Sequence, residues 1–347
     1  MTARADRFGA VSTALARLDD QQLGRLVDAA PTTGSGVGGA SAALEIAGAP
    51  VFVKRIPLTD REREPANVLS TANLFEVPAF CHYGIARLAG PGFGAWRELT
   101  ANTMTTRWVL AGESEAFPLM YHWRVLPGAA PPAEEHADIG RVVAYWDESA
   151  AVRRRLQALA GASASLVLFL EHLPATLHDW LAAQLAAGPE AVAAACAMVE
   201  RRLRADVAFM NAGGLLHFDA HFRNILTDGH RLYLADLGLA MSPRFDLSPA
   251  ERDFVARNTG HDAGYVMREL VNWITANVAG VAPVAERYEY VRRCAAGAPT
   301  GNVPPPIAAL LRRHAPVATV VNDFYWDFFG SSRTTPYPAG QIERALV

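Results

Sequence analysis

The stretch Leu216-His217-Phe218-Asp219-Ala220-His221-Phe222-Arg223-Asn224-Ile225-Leu226, followed by Leu232-Tyr233-Leu234-Ala235-Asp236-Leu237-Gly238, organises the rest of the chain. Asn224 to Thr227, then Asp228-Gly229, then Arg231 to Ala235 read as two short strands joined by a turn, because Asp-Gly supplies the backbone angles that tight turns need. Such a hairpin would bring Asn224 and Asp236 back side by side. His217, Asp219 and His221 alternate, so on an extended segment all three would face one way, as the metal ligands of a hydrolase do. That reading gives no role to Asn224 or to Asp236-Leu237-Gly238, and the other histidines are scattered singly.

An H-x-D-x-x-x-x-N string at His217, Asp219 and Asn224, with a D-x-G string at Asp236 and Gly238, resembles the catalytic and metal-binding loops of the protein-kinase superfamily. The resemblance implies phosphoryl transfer, in which a protein holds a hydroxyl in line with a γ-phosphate and neutralises charge on the phosphate oxygens. It implies that Asp219 orients the acceptor hydroxyl and takes its proton. Asn224 and Asp236 would hold Mg²⁺, a hard cation that prefers oxygen ligands, with ATP or GTP as the phosphate donor. Phe218 stands where such loops usually have a small or basic residue, and Leu237 where they have an aromatic one; neither change removes an oxygen ligand.

The order of the remaining parts follows the same pattern. Thr33-Gly34-Ser35-Gly36-Val37-Gly38-Gly39 fits G-x-G-x-x-G through Gly34, Gly36 and Gly39, a spacing that a flexible hairpin also produces. Two antiparallel strands follow, about Ala43 to Ile46 and Val51 to Ile56, and the second ends in a lysine-bearing Val51-Phe52-Val53-Lys54 that resembles the kinase strand touching the α- and β-phosphates. The carboxylate partner of that lysine is assigned to Glu98, on a helix over about Ala95 to Leu110, ahead of a strand over Phe117 to Leu126. Glu62 and Glu64 are nearer in sequence, but Pro65 interrupts their segment. Ser165 to Pro174 reads as a buried strand running into a hinge, where the resemblance makes Glu171, His172 and Leu173 nucleotide contacts through backbone groups.

Only a short run separates Gly238 from Ser248-Pro249, a helix start with serine as N-cap. Protein kinases carry a longer, peptide-cradling segment there. H-x-D-x-H-x-x-N, with His221 where protein kinases have lysine, looks instead like the loop of aminoglycoside phosphotransferases and related small-molecule kinases. The expected acceptor is therefore a small hydroxyl compound, such as an antibiotic or other natural product. A serine/threonine protein kinase with an abbreviated segment and a nucleotide-binding pseudokinase scaffold are the alternatives.

The resemblance implies an α+β, two-lobed protein-kinase-like fold: an antiparallel-sheet lobe over residues 1–172 and a helical lobe over 173–347, with the nucleotide between them. A helix over about 10–29 leads into the first sheet as a lid or packing element, and a charged helix over about 133–159 is an insertion. In the tail, Val317, Val320, Val321, Phe324, Tyr325 and Phe328 lie at helical spacing and form a core-facing stripe. Asp323 and Asp327 fall on another face, either solvated or lining a site for a cationic acceptor.

Composition sets the outer limits. With 347 residues, 51% of them hydrophobic, the chain has core material for a large domain or two lobes. A formal net charge of −3 and no basic run argue against a nucleic-acid partner or a membrane patch. Cys81, Cys196 and Cys294 have neither disulfide-framework nor zinc spacing, and no stretch is long and apolar enough to span a bilayer, so a cytoplasmic protein is expected.

Overall fold

The computed structural model describes residues 3–36, 39–84, 88–129 and 133–346; Val37 and Gly38 of the glycine-rich stretch and the side chain of Ser35 lie outside them. The protein is mixed α+β and divides into two compact units. The first comprises Met1–Leu173 and Asp236–Arg252, the second Pro174–Ala235 and Asp253–Val347. The Asp236-Leu237-Gly238 segment, read in the sequence as part of the helical half, thus packs with the sheet-bearing unit.

The first unit is built on an antiparallel sheet of β1 (Thr32–Gly36), β2 (Gly39–Ile46), β3 (Ala49–Leu58), β4 (Met120–Pro127) and β5 (Ala164–Glu171), in the order β1-β2-β3-β5-β4. Alternation along β3 decides what each face meets. Val51 and Val53 point into one apolar layer with Val167 and Phe169 of β5, which the N-terminal segment covers through Val11, Leu15, Leu23 and Val27. Ile56 and Leu58 point the other way, against Ala95, Trp96 and Leu99. Lys54 shares their parity, so its side chain emerges on the face covered by the Ala95–Leu110 helix.

The N-terminal segment is two helices, Ala3–Ala16 and Asp20–Ala29, rather than one over 10–29. Asp19 breaks it: its side chain accepts the Gln22 N–H at 2.8 Å while Gln22 Oε1 accepts the Asp19 N–H at 2.9 Å, a reciprocal cap that starts a new helix. The expected helix over 133–159 is likewise two, Ile139–Tyr145 and Ala150–Ala160, separated at Asp147 and Glu148, which both have positive φ. Gly39 has φ +114°, and a Cβ there would lie 1.9 Å from the Arg55 carbonyl oxygen, so β2 passes β3 at a distance only glycine allows.

The second unit is helical, with the small strands Ala175–Thr176, Ile225–Thr227 and Leu232–Leu234. The helices Pro189–Ala212, His261–Asn277 and Pro305–Gly330 form its interior. Val317, Val321, Phe324, Tyr325 and Phe328 are buried as the tail pattern requires, and Val320 is half-buried. Among the described residues no helix is long and apolar enough to cross a membrane.

Candidate functional site

In the first unit, Lys54 lies between two carboxylates. Its Nζ is 2.6 Å from Glu98 Oε1 and 2.8 Å from Asp236 Oδ1. Burial works against the lysine's charge, but the Asp236 and Glu98 carboxylates outweigh it and raise its pKa above the ordinary range. Burial raises the Glu98 carboxyl; the Lys54 charge pulls it down, but Asp236 adds a second negative charge, and the net direction is upward. One cation thus serves two acids, and the trio carries a net negative charge when both are ionised.

The chain around the trio is shaped to fit it. Asp236 takes up a left-handed conformation, φ 57° and ψ 71°, which costs a non-glycine residue about 1–2 kcal/mol. A Cβ on Gly238 would lie 3.2 Å from Glu98 Oε2 and 3.4 Å from Asp236 Oδ1, so glycine leaves room for both acids. Glu62, the nearer alternative partner for Lys54, is engaged elsewhere. It accepts from Arg155 at 2.8 Å, from Thr59, and from the Ala95 N–H at 2.8 Å, where it caps the start of the helix that carries Glu98. Glu64 bonds Asn67.

The glycine-rich residues Gly34, Ser35 and Gly36 lie on β1, and Gly39 opens β2, paired with Gly36. At the other end of the sheet, Glu171 closes β5; His172 is exposed and Leu173 half-buried. The Glu171 carboxylate accepts from Arg4 Nη2 at 2.5 Å, Arg7 Nη2 at 2.6 Å and the Leu119 N–H at 3.2 Å. The N-terminal helix therefore fixes the end of β5, a tie that no local sequence signal announces.

In the second unit, Asp219, His221 and Asn224 form one closed loop. Asn224 Nδ2 donates to the Asp219 carbonyl and to Asp219 Oδ2, both at 3.0 Å. His221 Nδ1 accepts the Arg223 and Asn224 N–H groups, each at 3.2 Å, and its Nε2 lies 3.8 Å from Asp219 Oδ1. His217 uses Nε2 on the Ala235 carbonyl at 2.9 Å and Nδ1 on the Asp219 N–H at 3.3 Å. Backbone groups thus occupy both ring nitrogens of His217, and it does not join Asp219 and His221 as a ligand set. The hairpin pairs Ile225 with Leu234, and the Ala235 N–H donates to the Asn224 carbonyl at 3.0 Å, one residue before Asp236 in the chain.

Beneath this loop lies a residue the sequence reading did not single out. Asp262, fully buried, accepts the His217 N–H at 2.7 Å, the Phe218 N–H at 2.9 Å and Asn211 Nδ2 at 2.8 Å, and pairs with His261 Nδ1 at 3.2 Å. Burial raises its carboxyl, but the His261 and His217 interactions outweigh it and hold it at about 2. Phe218, with φ 64°, is kept in its strained conformation by these bonds and by ring packing on Phe254 and His261. An acid in the first turn of the largely buried helix His261–Asn277 was the available signal, although such an acid also suits a helix N-terminus on an exposed surface.

The chain matches no protein-family model and no curated protein.

The oxygen donors suit a hard cation. Asn224 Nδ2 is engaged with Asp219 in the second unit, and in the first unit the Asp236 side chain is 43% exposed. Among the described residues there is no group of three or more His, Cys, Asp or Glu able to enclose a metal. A Mg²⁺ ion, which keeps several waters and takes substrate phosphate oxygens as ligands, needs only one or two protein oxygens. In the tail, Asp323 accepts from Arg292 at 2.6 Å, so its charge is compensated within the unit; Asp327 is exposed.

Proposed function

We propose that this protein is a Mg²⁺- and nucleotide-dependent phosphotransferase acting on the hydroxyl of a small molecule, and that it adopts a two-lobed protein-kinase-like arrangement. The observation that carries the reading is Lys54 held between Glu98 and Asp236 at 2.6 and 2.8 Å, residues far apart in sequence whose order matches the kinase pattern. In this reading Lys54 holds phosphate oxygens of ATP or GTP, and Glu98 orients the lysine. Gly34, Ser35, Gly36 and Gly39 supply backbone amides to phosphate, and Glu171, His172 and Leu173 meet the base. Asp236 and Asn224 would hold the metal through side-chain oxygens. When bound, Mg²⁺ would neutralise charge on the phosphate oxygens. Asp219 accepts a hydrogen bond from the acceptor hydroxyl and takes its proton as the new phosphorus–oxygen bond forms and the bond from the γ-phosphorus to the β,γ-bridging oxygen breaks, releasing ADP or GDP, while Asn224 holds the Asp219 carboxylate in place.

A small acceptor is supported by the segment after Gly238. It is short, and it is tied down within its own unit: His82 Nδ1 donates to the Leu239 carbonyl at 2.8 Å, and Thr71 Oγ1 bonds the Asp246 N–H at 2.8 Å and its carboxylate at 3.1 Å. It has neither the length nor the freedom to build an extended peptide groove. The test is transfer of labelled γ-phosphate from ATP and from GTP, with and without Mg²⁺, to a panel of hydroxylated metabolites and aminoglycoside-like compounds beside generic protein substrates. Saturable, Mg²⁺-dependent labelling of a small compound is expected. Efficient labelling of a folded protein with no small acceptor would reverse the assignment.

A further inference from the structure

The residue beside Glu98 points to a second layer of the same machinery. Arg97 is almost completely buried, and its guanidinium carbon lies 5.6 and 5.7 Å from the ring centroids of Phe93 and Phe245. Its Nη2 donates to Glu251 Oε1 at 2.7 Å and its Nε to the Thr71 carbonyl at 2.6 Å; the Arg97 and Glu251 side chains are 2% and 4% exposed. Glu251 is committed on its other oxygen as well: Oε2 accepts the Ser248 N–H at 2.9 Å while Ser248 Oγ accepts the Glu251 N–H at 3.2 Å, the reciprocal cap of the helix that begins at Pro249. Two consecutive residues of the Ala95–Leu110 helix therefore grip the two ends of one short segment. Glu98 meets Asp236 through Lys54 at its start, and Arg97 meets Glu251 at its end. Nothing in an apolar helix–sheet contact requires a buried arginine, and a desolvated ion pair is poor value for stability alone.

We infer that Arg97 and Glu251 are positioning residues that clamp the 236–251 segment to the Ala95–Leu110 helix, holding Lys54, Glu98 and Asp236 in register for the nucleotide without any activating modification. This rests on the proposed function for its consequence, not for its geometry. Because the clamp acts through Glu98, breaking it costs nucleotide affinity only while Glu98 can still hold Lys54.

The deciding variant is Arg97→Met with Glu251→Gln, since removing both charges leaves no buried ion unpaired and the glutamine oxygen still accepts the Ser248 N–H that caps the helix. Calorimetry with Mg-ATP and Mg-GTP is run on the parent, on this double variant, on Glu98→Gln and on their combination, beside amide hydrogen exchange. We expect about tenfold weaker binding in the double variant and in Glu98→Gln, and no further loss in the combination, since contacts acting through one residue are not additive. Exchange should quicken in residues 95–110 and 236–248 while β3 and β5 stay protected. Parental affinity and exchange in a folded double variant, or losses that multiply with Glu98→Gln, would overturn the clamp. If the parent binds neither nucleotide, the functional reading fails, and exchange alone decides the clamp.

Discussion

Replacing Asp262 by Asn should cost the second unit stability in a way that depends on pH. The carboxylate is buried and takes two backbone N–H groups, Asn211 and His261; an amide in its place offers one acceptor oxygen and turns an NH₂ toward donors. The gap between the ordinary 3.8 and about 2 corresponds to about 2–3 kcal/mol. Because the folded-state value is the lower one, this contribution is fully present above about pH 4 and is lost as the pH falls through about 2. The variant should therefore melt about 5–10 °C lower at pH 7, on the scale of 2–4 °C per kcal/mol for a unit of this size. Calorimetric scans of parent and variant between pH 7 and 2 should converge at the acid end. Equal melting temperatures at pH 7 would show that this carboxylate does not hold the His217-Phe218 backbone.

Asp236→Ala should weaken Mg-nucleotide binding by at least tenfold, on the order of one lost charge-assisted contact, and calorimetry returning full affinity would exclude its role as a metal ligand. Lys54 has a raised pKa, so its ion pairs should stabilise the fold at neutral pH and lose that effect only as the pH climbs through the lysine range and beyond. The stability difference between parent and Lys54→Met, followed by denaturant titration, should stay flat from pH 6 to 9 and shrink above 10.5. Gly39→Ala would set a Cβ 1.9 Å from the Arg55 carbonyl oxygen at a positive φ, and should destabilise the first unit by about 1–3 kcal/mol in the same titration.

Much of this arrangement was legible because it is local. The Ala95–Leu110 helix, the lysine strand and the Asp-Gly hairpin each carry their signal within a few residues. Asp228 itself accepts the His230 and Arg231 N–H groups at 2.9 and 2.8 Å to set the turn. What escaped were long-range polar ties. Arg4 and Arg7 reach Glu171, Arg97 reaches Glu251, and Asp262 reaches back to His217, and a lone charged residue in sequence reads as a solvated one. The break at Asp19 was readable from Asp19 and Gln22 as a capping pair, but the apolar spacing on either side ran through it and suggested one helix.

In the proposed phosphotransferase the loop at Asp219 carries out phosphoryl transfer rather than only closing a fold. This role is tested most directly by Asp219→Asn, with nucleotide affinity and turnover measured on the same preparation. Since the Asp219 carboxylate acts on the acceptor hydroxyl in this account, Mg-nucleotide affinity should remain within about twofold of the parent while phosphate transfer falls by a factor of about 100 or more. Undiminished transfer in a folded Asp219→Asn protein would contradict the account.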